Sequence, residues 1–265
     1  MAGFLSLSRW RGPAVAVIRL DGMIAPGGPG RLSDQALAPL LGAAFRRGKP
    51  RAVALAINSP GGSPAQSSLI GARIRRLAAE HKLPVHAFVE DLAASGGYWL
   101  ACAADDIWVD PNSVVGSIGV VSAGFGFDQL IERYGVERRL YTSGARKALL
   151  DPFSPERPED VERLRGFQTQ IHQGFIDYVK DRRGDRLADE NLFEGDVWIG
   201  ARAVEKGLAD GVAHLVPKMQ ALYGEKVRFI PYGPRRPLLR RFGLSLMEDA
   251  WASAEERALR ARYGC

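Results

Sequence analysis

Two cysteines and four histidines are all that the 265 residues hold of the two best transition-metal ligands. Cys102 and Cys265 are too few for a disulfide framework or a cysteine-based zinc site, and they leave the redox compartment open. No window offers the roughly 18 uninterrupted apolar residues of a membrane span. The first residues, MAGFLSLSRWRG, lack the basic start and apolar core of a secretion leader, so the expectation is an unexported, cytoplasmic chain. There is no internal repeat, low-complexity tract or linker that would split a core.

What is present is ordinary globular material, 46% apolar and 25% charged, with charge unevenly placed. Residues 226–265 carry nine Lys/Arg against four Asp/Glu, so nearly all of the net +6 belongs to the tail. Its arginine pairs, mixed with Leu, Phe and Trp, suit either a solvated basic helix or peripheral contact with the anionic inner face of a membrane. The expected organisation is an N-terminal arm (1–13), a core (14–218) and a basic, partly helical C-terminal extension (219–265).

From Ala14 the chain alternates short apolar runs with segments of helical period, the pattern of successive βα units in an α/β fold. AVAVIRLDG, RAVALAINSP, LPVHAFVE and DIWVDP read as strands. SDQALAPLLGAAFRRG reads as a helix capped by Ser33 or Asp34, PGGSPAQSSLIGARIRRLAAE as a glycine turn opening into a helix, and ASGGYWLACAA as a helix. Beyond Pro111, VVGSIGVVSAG reads as a kinked strand, FDQLIERYG as a helix and VERRLYTSG as a strand. A proline-rich loop, a long amphipathic helix to about Asp181, a strand-like FEGDVWIG and a helix ARAVEKGL complete the core.

Ser95 stands where the third strand meets its helix, in Ala-Ala-Ser-Gly-Gly. Such a serine is either an N-cap at a tight turn or a nucleophile, and a nucleophilic serine needs a base within hydrogen-bond reach and donors for an oxyanion. Ala93 stands where the G-x-S-x-G elbow has its first glycine. Asn58-Ser59-Pro60-Gly61-Gly62 lies at the neighbouring strand-to-helix junction, where two glycines either start a helix or present N–H groups outward. Two such junctions on consecutive βα units fall side by side at one sheet edge. The base is one of His81, His86, His172 and His214, none in an unusual context, or Lys147 in SGARKALLDPF, whose apolar neighbours could depress its pKa if it is not simply solvated.

Taken in order, strand-N-S-P-G-G, A-A-S-G-G-Y, G-S-I-G-V, G-x-x-K-x-x-x-D-P-F and G-x-V-W-x-G-x-x-A-x-x-x-G-L-A-D (Gly195 to Asp210) resemble the signal peptide peptidase A family, which includes the SohB-like proteins, serine peptidase family S49. The resemblance runs from about Ala14 to His214. It implies a crotonase-like or Clp-protease-like βαβ superhelix in a single compact domain. It also implies a Ser/Lys dyad with Ser95 as nucleophile, Lys147 as general base, Ser117 orienting the lysine, and Gly61, Gly62 and Gly96 around the oxyanion. No cofactor, metal or nucleic acid is implied. Substrates are expected to be released signal peptides or other unfolded apolar segments, and the working form a homo-oligomeric ring whose sites are shared between subunits. Arg146, before the lysine, is expected to face solvent. Three other readings carry distinct signatures. A Clp-type protease would use a histidine, for which Ile171-His172-Gln173 is the nearest match; a crotonase-type acyl-CoA enzyme would use Glu90 and Asp91; a scaffold of the same fold would use neither.

Overall fold

The computed structural model of the chain describes residues 12–28, 30–144, 146–188, 191–233 and 256–264. Most of the expected N-terminal arm and residues 234–255 of the basic extension lie outside them, with the arginine pairs at 235–236 and 240–241. The chain forms two compact units, residues 1–118 with 176–265, and residues 119–175.

The first unit is built on one mixed sheet. Strands β1 (Ala14–Asp21), β2 (Ala52–Ser59) and β3 (Val85–Ala94) are parallel neighbours. Every residue of β2 is buried, which is why AVALAINS shows no polar alternation: both faces of the sheet are covered. β3 has two successive partners on its other side. β4 (Asp106–Val109) pairs with His86–Val89, and β5 (Val114–Gly116) with Leu92–Ala94. Between these stretches the β2–β3 register slips, from Ile57↔Val89 to Ser59↔Ala93, so Glu90 and Asp91 are surplus on β3 and bulge from the ladder. β6 (Val197–Ile199) lies antiparallel to β5, and β7 (Gly211–Val212) extends β4.

Helices follow the strands as the periodicity requires. α1 (Asp34–Arg46) starts at Ser33, whose hydroxyl accepts from the Ala36 N–H at 3.3 Å. α2 (Pro64–His81) starts at Ser63 with proline in its first turn and buries Ser67, Ile70, Gly71, Ile74, Leu77 and Ala78 at three- and four-residue spacing. α3 (Gly96–Cys102) is buried throughout. In the second unit lie α4 (Asp128–Arg133) and the start of α5 (Pro158–Arg183), which ends in the first. The first unit continues with α6 (Ala201–Glu205) and α7 (Leu215–Tyr223).

The structure departs from the sequence reading in three places. VERRLYTSG is not a strand: residues 136–142 carry no ladder, and Val136, Leu140 and Tyr141 are exposed. β-branched alternation makes a strand only where a neighbouring strand satisfies its N–H and C=O groups. Of VVGSIGVVSAG only Val114–Gly116 is in the sheet. The sheet also runs past residue 218, because β8 (Arg228–Tyr232), placed with the extension on sequence, pairs in parallel with β1 and forms the sheet edge.

Candidate active site

Parallel strands deliver their C-terminal ends to one sheet edge, and the loops there are where α/β folds place chemistry. Ala94 pairs with Gly116, so Ser95 and Ser117 leave adjacent strands side by side, about 4.8 Å apart in the pairing direction. The Ser95 N–H donates to the Gly116 carbonyl at 2.8 Å, and the Ser117 N–H donates to Asp196 O at 2.6 Å. Both serines are half-buried, and both have φ +52°. A non-glycine residue at positive φ costs on the order of 1–3 kcal/mol and persists only where its surroundings enforce it. Here two bonded strands and the start of α3 do so, with Ser95 O accepting from the N–H groups of Tyr98 and Trp99.

The Asn58–Gly62 turn lies directly against this serine. A β-carbon placed on Gly61 would stand 2.7 Å from the Gly96 nitrogen, 2.8 Å from Ala94 O and 2.9 Å from the Ser95 β-carbon. Only glycine fits, and its φ of +94° agrees. On Gly62 a β-carbon would run into Ile24 O, on Gly96 into Ser67 Oγ, and on Gly97 into Ser59 O. The Gly61 N–H makes a long bond, 3.2 Å, to Ser59 Oγ, a buried hydroxyl that itself donates to Gly22 O at 2.7 Å. Ser59 thus braces the turn from below, a role the N-S-P-G-G motif contains but spacing alone does not reveal.

The Gly195–Asp210 motif supports the same edge. β6 pairs Trp198 with Val115, and its Asp196 carbonyl holds Ser117. At the far end Asp210 accepts from the Ile107 N–H and from Arg183, whose side chain is 2% exposed. Burial raises the Asp210 carboxyl, but the Arg183 hydrogen bond and charge outweigh it, and the pKa lies below the usual carboxylate value.

Two residues that the sequence reading did not select also reach the edge. Residues 256–261 are helical. From them, Arg260 donates to Asn58 Oδ1 at 2.9 Å and Asn58 O at 3.2 Å, with Asp21 Oδ1 at 3.4 Å. Just beyond, the Tyr263 hydroxyl lies 3.0 Å from Ser117 Oγ, its ring against Leu92, Ala94 and Val114. Asn58 also donates to Asp91 at 2.8 Å, and Glu90 is bound by Arg19 at 2.7 and 2.9 Å. Both carboxylates that could serve acyl-CoA chemistry are therefore engaged elsewhere.

Lys147 belongs to the second unit, where it is exposed in a turn with Arg146, also exposed. That unit presents Phe125 and Tyr141 at 80% and 89% exposure. Phe127 stacks on Phe153 at 5.7 Å, and Arg138 sits over the Phe153 ring. Each histidine of the first unit is occupied: His86 by Asp106 and Tyr223, both at 2.8 Å, His214 by Asp110 at 2.8 Å, and His81 by stacking on Phe45. His172 lies on α5 within the second unit. Among the described residues no group of three His, Cys, Asp or Glu side chains could hold a metal ion.

Cys102 is buried on α3, and burial pushes its thiol up to about 12, so the thiolate is scarce at neutral pH. In a Cys265→Ser protein, Cys102 is expected to resist iodoacetamide at pH 8 until denaturant is added, as mass spectrometry would register. Prompt native-state alkylation would contradict the burial.

A serine strained onto a strand-to-helix turn, packed against a glycine turn of the neighbouring βα unit, stands at the carboxyl edge of the sheet of an α/β protein. The model of peptidase family S49 matches residues 78–222, more than half of the chain, and the chain belongs to that family. The mixed α/β single-sheet fold agrees with its crotonase- and Clp-protease-like class. Among curated relatives, the Na(+)/H(+) antiporter NhaA of Brucella melitensis is 47% identical over 94% of this chain and 37% of its own length. Protease 4 of Haemophilus influenzae is 32% identical over 75% of this chain and 32% of its own. Serine protease SPPA, chloroplastic, of Arabidopsis thaliana is 32% identical over 76% and 29%. The chain thus spans about a third of the length of these relatives. Among its described residues no helix is long and apolar enough to cross a membrane.

Proposed function

We propose that this chain is a serine endopeptidase with a Ser/Lys dyad. The observation that carries the reading is Ser95 at φ +52°, wedged against Gly61 and beside Ser117. Ser95 Oγ attacks the peptide carbonyl as its proton passes to the neutral amine of Lys147, and the tetrahedral oxyanion is held by the Gly96 N–H and the Gly61–Gly62 turn. The long Gly61–Ser59 bond is the one an oxyanion would replace. Collapse breaks the C–N bond, Lys147 returns the proton to the leaving amine, and an acyl-enzyme remains. Water then attacks, Lys147 takes its proton, and Ser95 leaves reprotonated. Ser117 orients the lysine.

A serine nucleophile needs a base beside it with a free lone pair. Lys147 is exposed in its unit, and the same unit presents Phe125, Leu130, Tyr134 and Tyr141 to solvent. Both facts support a homo-oligomeric ring in which each Ser95 receives its lysine from a neighbouring subunit. Released signal peptides and other unfolded apolar segments are the substrates, at the cytoplasmic side, with the basic tail touching the membrane surface. We infer that the antiporter name of the Brucella relative describes the part of that protein outside the match.

Mixing Ser95→Ala and Lys147→Ala proteins after dissociation tests the shared site. Random reassembly of a ring pairs an intact serine with an intact lysine at roughly a quarter of sites, so about a quarter of wild-type peptidase activity returns. No recovery from correctly reassembled rings would place the lysine in the same chain as its serine.

A further inference from the structure

We infer that Tyr263 is a positioning residue for the reaction, acting through Ser117, and that the C-terminal helical turn is a working part of the site. The inference rests on the dyad reading and goes beyond it. The Tyr263 hydroxyl reaches Ser117 Oγ at 3.0 Å across 146 residues of sequence, and its ring packs on Leu92 and Ala94 of the strand that ends in Ser95, and on Val114 of the strand that leads to Ser117. One side chain thus touches both strands that deliver the two serines.

The hydroxyl of Ser117 has one proton to donate and two lone pairs. Either hydroxyl could donate in this contact; a phenol is the more acidic alcohol, and in the arrangement we infer Tyr263 donates and Ser117 accepts. That leaves the serine proton to be directed at the lone pair of the lysine amine, the form the mechanism requires. Without the phenol, the serine hydroxyl rotates freely and the amine loses its fixed donor. The backbone of Ser117 is held at φ +52° with its N–H on Asp196 O, which fixes where its side chain starts.

The anchor of this turn lies on the other half of the site. Arg260, with its side chain 19% exposed, binds both Asn58 Oδ1 and Asn58 O, the first residue of the turn that carries Gly61 and Gly62, and pairs with Glu256 at 2.9 Å. The C-terminal turn therefore ties the oxyanion segment to the serine that orients the lysine. Arg260 and Gly264 also line a space of about 780 Å³ together with Glu90, Asp91 and His214.

Tyr263→Phe keeps the ring packing and removes only the hydroxyl. The net worth of one such hydrogen bond corresponds to a rate change of about 3- to 10-fold. The expected result is kcat for an apolar fluorogenic peptide lowered by that factor with KM within twofold, an equal fall in the rate at which a fluorophosphonate labels Ser95, and an unchanged melting temperature. Tyr263→Ala, which also loses the ring, is expected to fall further. Wild-type kcat and labelling in Tyr263→Phe would overturn the inference, as would a rise in activity, which would make the turn a lid. Ser95→Ala, assayed alongside, separates the two failures. If it hydrolyses peptide as wild type does, or if wild type is neither active nor labelled, the dyad reading falls and carries this inference with it. If activity depends on Ser95 and Tyr263→Phe changes nothing, this inference alone falls.

Discussion

Ser95→Ala is expected to lower kcat for an apolar fluorogenic peptide by about 10⁴-fold or more, Lys147→Ala to do the same, and His172→Ala to leave it within about twofold. At 1.36 kcal/mol per decade, the first two losses correspond to at least about 5 kcal/mol of transition-state stabilisation. Removing either member of a nucleophile–base pair removes the function of both, so the double variant is expected to be no worse than either single one. The contrast with histidine has a structural basis. His86 is the second residue of β3, nine residues before Ser95 and at most about 30 Å away at 3.3 Å per residue, and its ring nitrogens are bound to Asp106 and Tyr223. His214 is bound to Asp110, and His81 stacks on Phe45. Steady-state assays on purified, folded variants decide it. Substantial activity in Lys147→Ala, or its disappearance in His172→Ala, would replace the dyad with Ser/His chemistry.

The second large effect is on stability. Arg183→Ala is expected to cost about 3 kcal/mol, because it leaves a mostly buried carboxylate with only the Ile107 N–H and the longer, more exposed contact to Arg186 at 3.3 Å. For a chain of this size that is a fall in Tm of roughly 10 °C. The pH dependence gives an independent check. The Asp210 pKa is lowered in the fold, so its contribution is complete above the ordinary carboxylate value near 4 and fades as pH falls through the lower folded value. In Arg183→Ala burial remains and the main pairing is gone, with only the longer Arg186 contact left, so protonation relieves the variant. Thermal melts between pH 3 and 7 should show the wild-type advantage shrinking toward the acid end. A gap independent of pH would mean that the loss comes from packing around Arg183 and not from the ion pair.

Much of the local geometry of the candidate site was legible in the sequence because its signals are local. Gly61, Gly62, Gly96 and Gly97 sit where a strand ends and a helix begins, and the structure shows each of them pressed against backbone or a serine hydroxyl that leaves no room for a β-carbon. The unbroken apolar run AVALAI of β2 fits the strand the structure buries on both faces. Two kinds of feature were not legible. VERRLYTSG has strand-like alternation, but a strand is defined by its neighbour, and no ladder forms there. RFIPY, only five residues long and embedded in a basic stretch, nonetheless completes the sheet because β1 offers it an edge. Arg260 and Tyr263 read as members of a charged amphipathic tail. Their contacts with Asn58 and Ser117 span 202 and 146 positions, and no periodicity or turn signal encodes a partner so distant.

The interlocked glycines have a consequence for control. Because Gly61 touches Ser95 and Gly96 with no side chain between them, and Ser59 braces Gly61 from within the same unit, the serine turn and the glycine turn are locked together by the fold itself. Lys147 belongs to the other unit and is exposed there. On the proposed reading of a lysine shared between subunits, dilution below the assembly constant is expected to silence peptidase activity while the serine turn stays intact.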